Sequence, residues 1–264
     1  AVQRMAAAAT HEEFEAPYGP LVPTLYALVA QRHQHEFGTT SEQLAEVAVA
    51  IRGHASRNPL AQKKDPITVA DVLASRMITS PLHVLDCAVV SDGAAAFIVT
   101  TRERARNLRK PAVQVLGQGY GFSHAYVSDY RNITTSGAVQ SGRDAFASAG
   151  LRPSDIDIAE LYDCFTITVL VELEDLGFCA KGEGGPFVQG GRIGPGGALP
   201  VATHGGLLSA VHPGVAGGMF HVIESVRQLR GEAGERQVPN TEVVLVHGNG
   251  GVIGLHCTLI LGKA

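Results

Sequence analysis

The chain has 264 residues, 45% of them hydrophobic and 17% charged, which is ample for one large buried core or two smaller ones and excludes a disordered chain. Its 21 Lys and Arg against 25 Asp and Glu leave a net charge of −4, so no field is present to gather a nucleic-acid backbone or anionic lipid. No apolar run approaches the ~18 residues of a membrane span. Ala1-Val2-Gln3-Arg4-Met5 lacks the charge-then-apolar pattern of a secretory signal. Cys87, Cys164, Cys179 and Cys257 lie far apart with no CxxC, so neither a disulfide framework nor a zinc ribbon is signalled. A cytoplasmic α/β protein is expected.

Residues 1–78 mix helices and loops without a convincing strand. Leu25-Tyr26-Ala27-Leu28-Val29 belongs to a helix ending near Gly38. Thr39-Thr40-Ser41-Glu42 starts another, with Leu44, Val47, Ala48 and Ile51 at helical spacing. Asn58-Pro59 stops it, and Thr68 to Asp71 caps a third, short helix. After the turn Ser91-Asp92-Gly93, residues 94–100 read as an apolar strand buried on both faces. Residues 102–110 carry five basic side chains and one acid, the pattern of a solvated helix or of a phosphate contact for a nucleotide-bearing cofactor.

From 111 onward strands and helices alternate. Residues 113–116, 155–161, 242–246 and 255–261 read as strands; residues 141–149, 166–176 and 215–229 read as helices. This order argues an α/β sheet covered on both faces.

Gly248-Asn249-Gly250-Gly251-Val252-Ile253-Gly254 follows a strand, but Ile253 stands where a dinucleotide fingerprint needs its third glycine, and a strand follows where a helix should. The segment is either a hairpin connection or a loop whose amides face a ligand. Residues 184–198 lack phosphate-cradle spacing, and neither G-x-S-x-G nor H-E-x-x-H occurs. His33 and His35, two apart on a helix, point to different faces, and no metal site is expected. In Glu160-Leu161-Tyr162-Asp163-Cys164-Phe165 a strand runs into a helix, which places Tyr162 and Asp163 at a sheet's carboxyl edge. Either is a candidate acid or base; alternatively Asp163 caps the helix and Tyr162 packs. In residues 203–214 paired glycines permit close backbone approach, and His212 before Pro213 is held extended at a helix start, which makes His212 a candidate base.

The run Glu160 to Gly182, with Leu199-Pro200-Val201-Ala202-Thr203-His204-Gly205-Gly206, His212-Pro213-Gly214, Asn58-Pro59-Leu60-Ala61, Ser91-Asp92-Gly93-Ala94-Ala95-Ala96 and Arg227-Gln228-Leu229-Arg230-Gly231, resembles the thiolase superfamily. Within it the chain is most similar to thiolases related to sterol-carrier and non-specific lipid-transfer proteins. The resemblance implies a layered αβαβα fold with an incomplete N-terminal half. Residues 1–78 would be the loop domain covering CoA, 79–110 the end of the N-terminal half, and 111–264 the C-terminal half. It implies making or cleaving C–C bonds in acyl-CoA thioesters in lipid or steroid side-chain metabolism, with CoA thioester as substrate, no tightly bound cofactor, and a homodimer.

On that map His212 is the catalytic histidine, and Tyr162 falls where thiolases hold the oxyanion water with Asn or His. Gly250 and Gly251 line the loop near the reacting carbonyl, and His204, Gly205 and Gly206 form a substrate loop. The nucleophilic Cys of the family maps upstream of these residues, and none of the four Cys here takes its place. The second Cys position near the glycine loop is also without Cys, which leaves Tyr162 or His247 as proton donor. Ala202 replaces the usual Asn. With Tyr162 the chain also resembles thiolase-like aldolases, which split β-hydroxyacyl-CoA beside a small OB-fold partner but carry a second Tyr where His212 stands, so the sequence is intermediate between the two. Three readings follow: thiolase-type acyltransferase, retro-aldol lyase, or inactive subunit of a heteromeric complex.

Overall fold

The computed structural model describes residues 10–264. The readings placed on Ala1-Val2-Gln3-Arg4-Met5, and the start of the expected loop domain, lie outside the described residues. Helix α1 (Val22–Phe37) closes at Gly38, whose φ of 72° is the left-handed conformation of a helix end. Helix α2 (Ser41–Ala55) opens on a capping box in which Thr40 accepts from the Gln43 amide and Gln43 answers on the Thr40 amide. Helix α3 (Val69–Ala74) repeats the device with Thr68 and Asp71. A small hairpin follows, β1 (Met77–Thr79) with β2 (Leu82–His83), so the first region does reach a strand at its end.

The buried strand expected over 94–100 is absent. Those residues form no regular element and lie mostly exposed, with Ile98 at 93% and Val99 at 79% accessibility, and no described strand pairs with them. An apolar run becomes a strand only when a neighbour pairs its amides and a layer covers its faces. The basic segment 102–110 is helical only over Arg102–Ala105, and it stays solvated.

Beyond it come β3 (Val113–Phe122), α4 (Ala138–Ala149), β4 (Ile158–Glu160), α5 (Thr166–Asp175), α6 (Gly217–Arg230), β5 (Val243–Gly250) and β6 (Leu255–Lys263). The sheet order is β3-β6-β5-β4, with β4 parallel to β5 and the other pairs antiparallel. Strand β4 spans only Ile158–Glu160 of the expected residues 155–161, and Asp155 closes a 3-10 turn instead. Alternate side chains sort to the two faces: Val244, Val246 and Leu261 meet Leu229 of α6, whereas Leu245 and Ile260 join the core with Ala145 and Phe146 of α4. The result is three layers, helix on sheet on helix.

Two features position the site. The alternating glycines of β3 let α4 lie directly on the strand: a Cβ at Gly119 would sit 1.9 Å from the Ser141 carbonyl oxygen, and one at Gly121 1.9 Å from that of Gly137. Helix α5 is buried on every side, including Glu172, Glu174 and Asp175, so each of these carboxylates needs a partner. Among the described residues no helix is long and apolar enough to cross a membrane.

Candidate active site

Strand β4 delivers Glu160 and the connection Leu161 to Phe165 to the sheet's carboxyl edge, where the Tyr162 amide donates to Glu172 Oε2 at 3.1 Å. That anchor leaves the phenol free to cross to the loop before α6. Its Oη lies 3.3 Å from His212 Nε2 and 3.4 Å from the Gly214 carbonyl oxygen. The two rings meet edge-on at 5.9 Å. His212 is held in turn by Ser91, whose Oγ accepts from the His212 amide at 2.9 Å while its own amide donates to the His212 carbonyl at 3.3 Å. Gly217, first residue of α6, packs so closely that a Cβ there would lie 3.1 Å from Tyr162 Oη. The pair therefore sits against the positive end of a 14-residue helix.

Burial lowers the His212 pKa, the His221 charge adds to this, and Asp163 partly opposes it. His212 is thus neutral and basic near pH 7. Burial, with the nearby Cys164, Asp163 and Glu172, raises the Tyr162 pKa, so the phenol stays protonated and donates. A neutral imidazole against a protonated phenol can accept a proton on one side and hydrogen-bond a developing oxyanion on the other.

Asp163 caps a helical turn, but not that of α5. Its carboxylate accepts from the Leu207 amide at 2.8 Å and the Leu208 amide at 3.1 Å, ordering the turn Gly206–Ala210 that leads into His212. The run His204-Gly205-Gly206 faces inward. Gly206, with φ of 56°, lies where a Cβ would stand 1.9 Å from the Asp163 carboxylate, and His204 is buried with Nδ1 3.3 Å from Glu160 Oε2. Ala202 has φ of 50°, a left-handed conformation that Asn enters more readily than Ala, which gives the Asn expected there a backbone reason.

The glycine loop joins β5 to β6 as a hairpin and is tied to the same region through Tyr26. The Tyr26 hydroxyl donates to the Gly251 carbonyl at 3.2 Å and accepts from Asn249 at 3.4 Å, while its ring stacks on Phe165 at 4.3 Å. Gly250 ends β5 opposite Leu255. His247 stands apart from the Tyr162–His212 pair: it is fully buried, with Nδ1 2.8 Å from Thr258 Oγ1 and Nε2 2.8 Å from His256 Nδ1. A cavity of about 540 Å³ at the far end of α6, lined by Arg57, Lys64, Arg227 and Arg236, contains none of these residues.

The sequence singles out His204 for its loop but not the buried acids it faces, nor His221. Glu160 Oε1 accepts from the Thr203 amide and hydroxyl, and Oε2 from His221 Nδ1 at 2.9 Å. Burial opposes its ionisation, but His204 and His221 outweigh burial and hold it well below the carboxylate range. Their one signal is polarity on an inward face: His221 and Glu224 are three apart on an otherwise packing helix.

Comparison with known proteins gives this three-layer α/β unit, with its strand-end Tyr and His-Pro-Gly loop, a thiolase-type fold. Residues 119–263 match the family described as Thiolase C-terminal domain-like, and the chain belongs to that family. Over 254 residues it is 43% identical to an acetyl-CoA acetyltransferase of Methanothermobacter thermautotrophicus, covering 95% of this chain and 66% of that protein. It is 41% identical to a steroid side-chain-cleaving aldolase of Thermomonospora curvata, covering 89% of this chain and 61% of the aldolase. The solved structure named Ltp2-ChsH2(DUF35) aldolase superposes with a TM-score of 0.88 at 40% identity, over 94% of this chain and 65% of that one. Human mitochondrial 3-ketoacyl-CoA thiolase, 14% identical with a TM-score of 0.70, shares the fold. The chain therefore spans less than two thirds of the length of several relatives it matches, and about two thirds of the first.

Proposed function

We propose that this chain carries the base and oxyanion-facing half of an active site that makes or cleaves C–C bonds in acyl-CoA thioesters. The carrying observation is the Tyr162 Oη to His212 Nε2 contact of 3.3 Å beside the start of α6. In the acyltransferase reading, a thiolate attacks the 3-keto carbon, the C2–C3 electron pair leaves as the acetyl-CoA enolate, and a proton delivered to that carbon completes acetyl-CoA. His212 then takes the thiol proton of incoming CoA as its sulfur displaces the enzyme thiolate. Gly250 and Gly251 lie near the thioester carbonyl, and His204, Gly205 and Gly206 support the substrate loop from within. His247, fully buried, reaches substrate only through intermediate groups, so Tyr162 is the nearer proton donor.

A second reading, retro-aldol cleavage, is favoured by Tyr162 itself and by the likeness to two aldolases. His212, or Tyr162 through it, removes the β-hydroxyl proton; the C–C pair collapses into the thioester enolate; a ketone departs and protonation on carbon yields acyl-CoA. Neither reading needs a tightly bound cofactor. The four cysteines are free thiols, in keeping with action in the cytoplasm. The two-component name of the aldolase structure supports assembly with a second protein, and homodimerisation is the remaining expectation.

The test is the full-length protein supplied separately with a 3-ketoacyl-CoA plus CoA and with a β-hydroxyacyl-CoA. Thiolysis alone establishes the acyltransferase, ketone release alone the lyase. Turnover by neither, with CoA ester still bound, identifies an inactive subunit. Unchanged turnover in His212→Ala removes both catalytic readings.

A further inference from the structure

We propose that Glu172, His247 and His256 form a binding site for one divalent transition-metal ion, with zinc the best match to the donor set. One possible ligand atom from each of Glu172, His247 and His256 lies within 4.8 Å of the other two, and all three residues are buried. Nε2 of His247 is 2.8 Å from Nδ1 of His256 and 4.0 Å from Glu172 Oε1. Two imidazoles and a carboxylate are a donor set suited to zinc, which draws such ligands in to roughly 2.0–2.2 Å.

Two further observations point to a cation. First, each ligand is oriented from behind by a second partner: the Tyr162 amide on Glu172 Oε2, Thr258 Oγ1 on His247 Nδ1, and the Ile253 carbonyl on His256 Nε2. Anchoring of the non-ligating atom is the usual support of a metal ligand. The Ile253 carbonyl only accepts, so His256 keeps its proton on Nε2 and presents a bare Nδ1 to the centre. Thr258 Oγ1 can accept from His247 Nδ1, which bares His247 Nε2 as well. Second, Glu172 Oε1 is buried with no hydrogen-bond partner and is aimed into the cluster. An unpaired carboxylate in a dry core is costly, and an ion of charge +2 compensates it. The neighbouring cluster of Glu160, His204 and His221 differs in kind, since both Glu160 oxygens already accept hydrogen bonds, Oε1 from Thr203 and Oε2 from His221 Nδ1, and no carboxylate oxygen there is left without a partner.

Bound there, the ion joins the carboxyl end of the glycine loop, through Ile253 and His256, to the backbone of Tyr162, through Glu172. The site is structural and separate from the reacting atoms, so it stands whether acyl transfer, aldol cleavage or neither is the activity.

The full chain, stripped with EDTA, is incubated with zinc chloride, desalted, and assayed for bound metal and thermal midpoint. Cobalt substitution supplies a visible spectrum. The expected result is about one zinc per chain, a raised midpoint, and cobalt d–d bands of a nitrogen–oxygen site. Glu172→Gln and His256→Gln, each checked for native circular dichroism, lose the ion and the midpoint shift, while His204→Gln keeps both. Absence of stoichiometric zinc in the parent chain overturns the proposal, as does retention of zinc by both site variants or its loss only in His204→Gln.

Discussion

Asp163→Asn tests whether one carboxylate orders the loop that ends in His212. Asp163 accepts from two adjacent amides, Leu207 at 2.8 Å and Leu208 at 3.1 Å, in a fully buried site. Asn keeps one carbonyl oxygen and turns an N–H₂ toward the other amide, so one charge-assisted bond is lost and a buried donor is left facing a donor. A hydrogen bond to a charged group contributes about 1.5–3 kcal/mol, and an unsatisfied buried donor costs a similar amount. Relief of repulsion with Glu172, whose pKa Asp163 helps to raise, returns part of this. The expected net loss is about 3 kcal/mol, or roughly two powers of ten in the folding constant. Guanidinium unfolding at pH 7 reads it as a lower midpoint at unchanged slope. Amide exchange at Leu207 and Leu208 should quicken as well. A loss under about 1 kcal/mol would refute the reasoning, because the two amides would then find other partners at little cost.

Three more expectations concern the site. Tyr162→Phe in the full-length protein should lower kcat/KM by about 10²–10⁴, the range of a lost acid–base group, while stability changes by no more than about 1.5 kcal/mol; equal loss of both would make Tyr162 a packing residue. The acid limb of the kcat/KM–pH profile should lie below the ~6.5 of an ordinary histidine, because burial favours neutral His212, and His212→Ala should erase that limb. Burial pushes the Cys87, Cys164 and Cys179 thiols up to about 12, so iodoacetamide on the native chain should label exposed Cys257 first, as peptide mapping would record; prior labelling of Cys164 would contradict the packing around Tyr26.

The sequence carried what is local. Caps at Thr40 and Thr68, the close at Gly150, and the hairpin around 248–254 are short-range signals, and they fold as read. Tyr162 and His212 were singled out separately, one at a strand end and one before Pro213; their mutual contact spans 50 residues and has no local trace. The strand expected over 94–100 failed because its apolar pattern specifies burial without saying what does the burying. Glu160, Glu172 and His221 were illegible for the converse reason: a buried charge is written in sequence like an exposed one, and only its partners reveal it. The strand read over 113–116 runs on to Phe122 through alternating glycines, which are the seat of α4.

The two acids flanking Tyr162 have opposite electrostatic fates, and that opposition is measurable. Glu160 is held below its ordinary pKa by His204 and His221, so it adds stability at pH values above the ~4.3 of an unfolded Glu and loses it as pH falls further. Glu172 is raised far above that value by burial, with Asp163 and Asp175 adding repulsion, so its penalty appears as pH climbs past ~4.3 and grows until the folded-state pKa is reached. At pH 8 in chelator, Glu160→Gln should therefore melt below the parent chain and Glu172→Gln above it; at pH 4 both differences should shrink. Midpoints moving the same way for both variants at pH 8 would mean that the two carboxylates share one environment. Zinc should then reverse only the second comparison, lifting the parent chain past Glu172→Gln, because the carboxylate that is a burden alone becomes the anionic ligand of a bound cation.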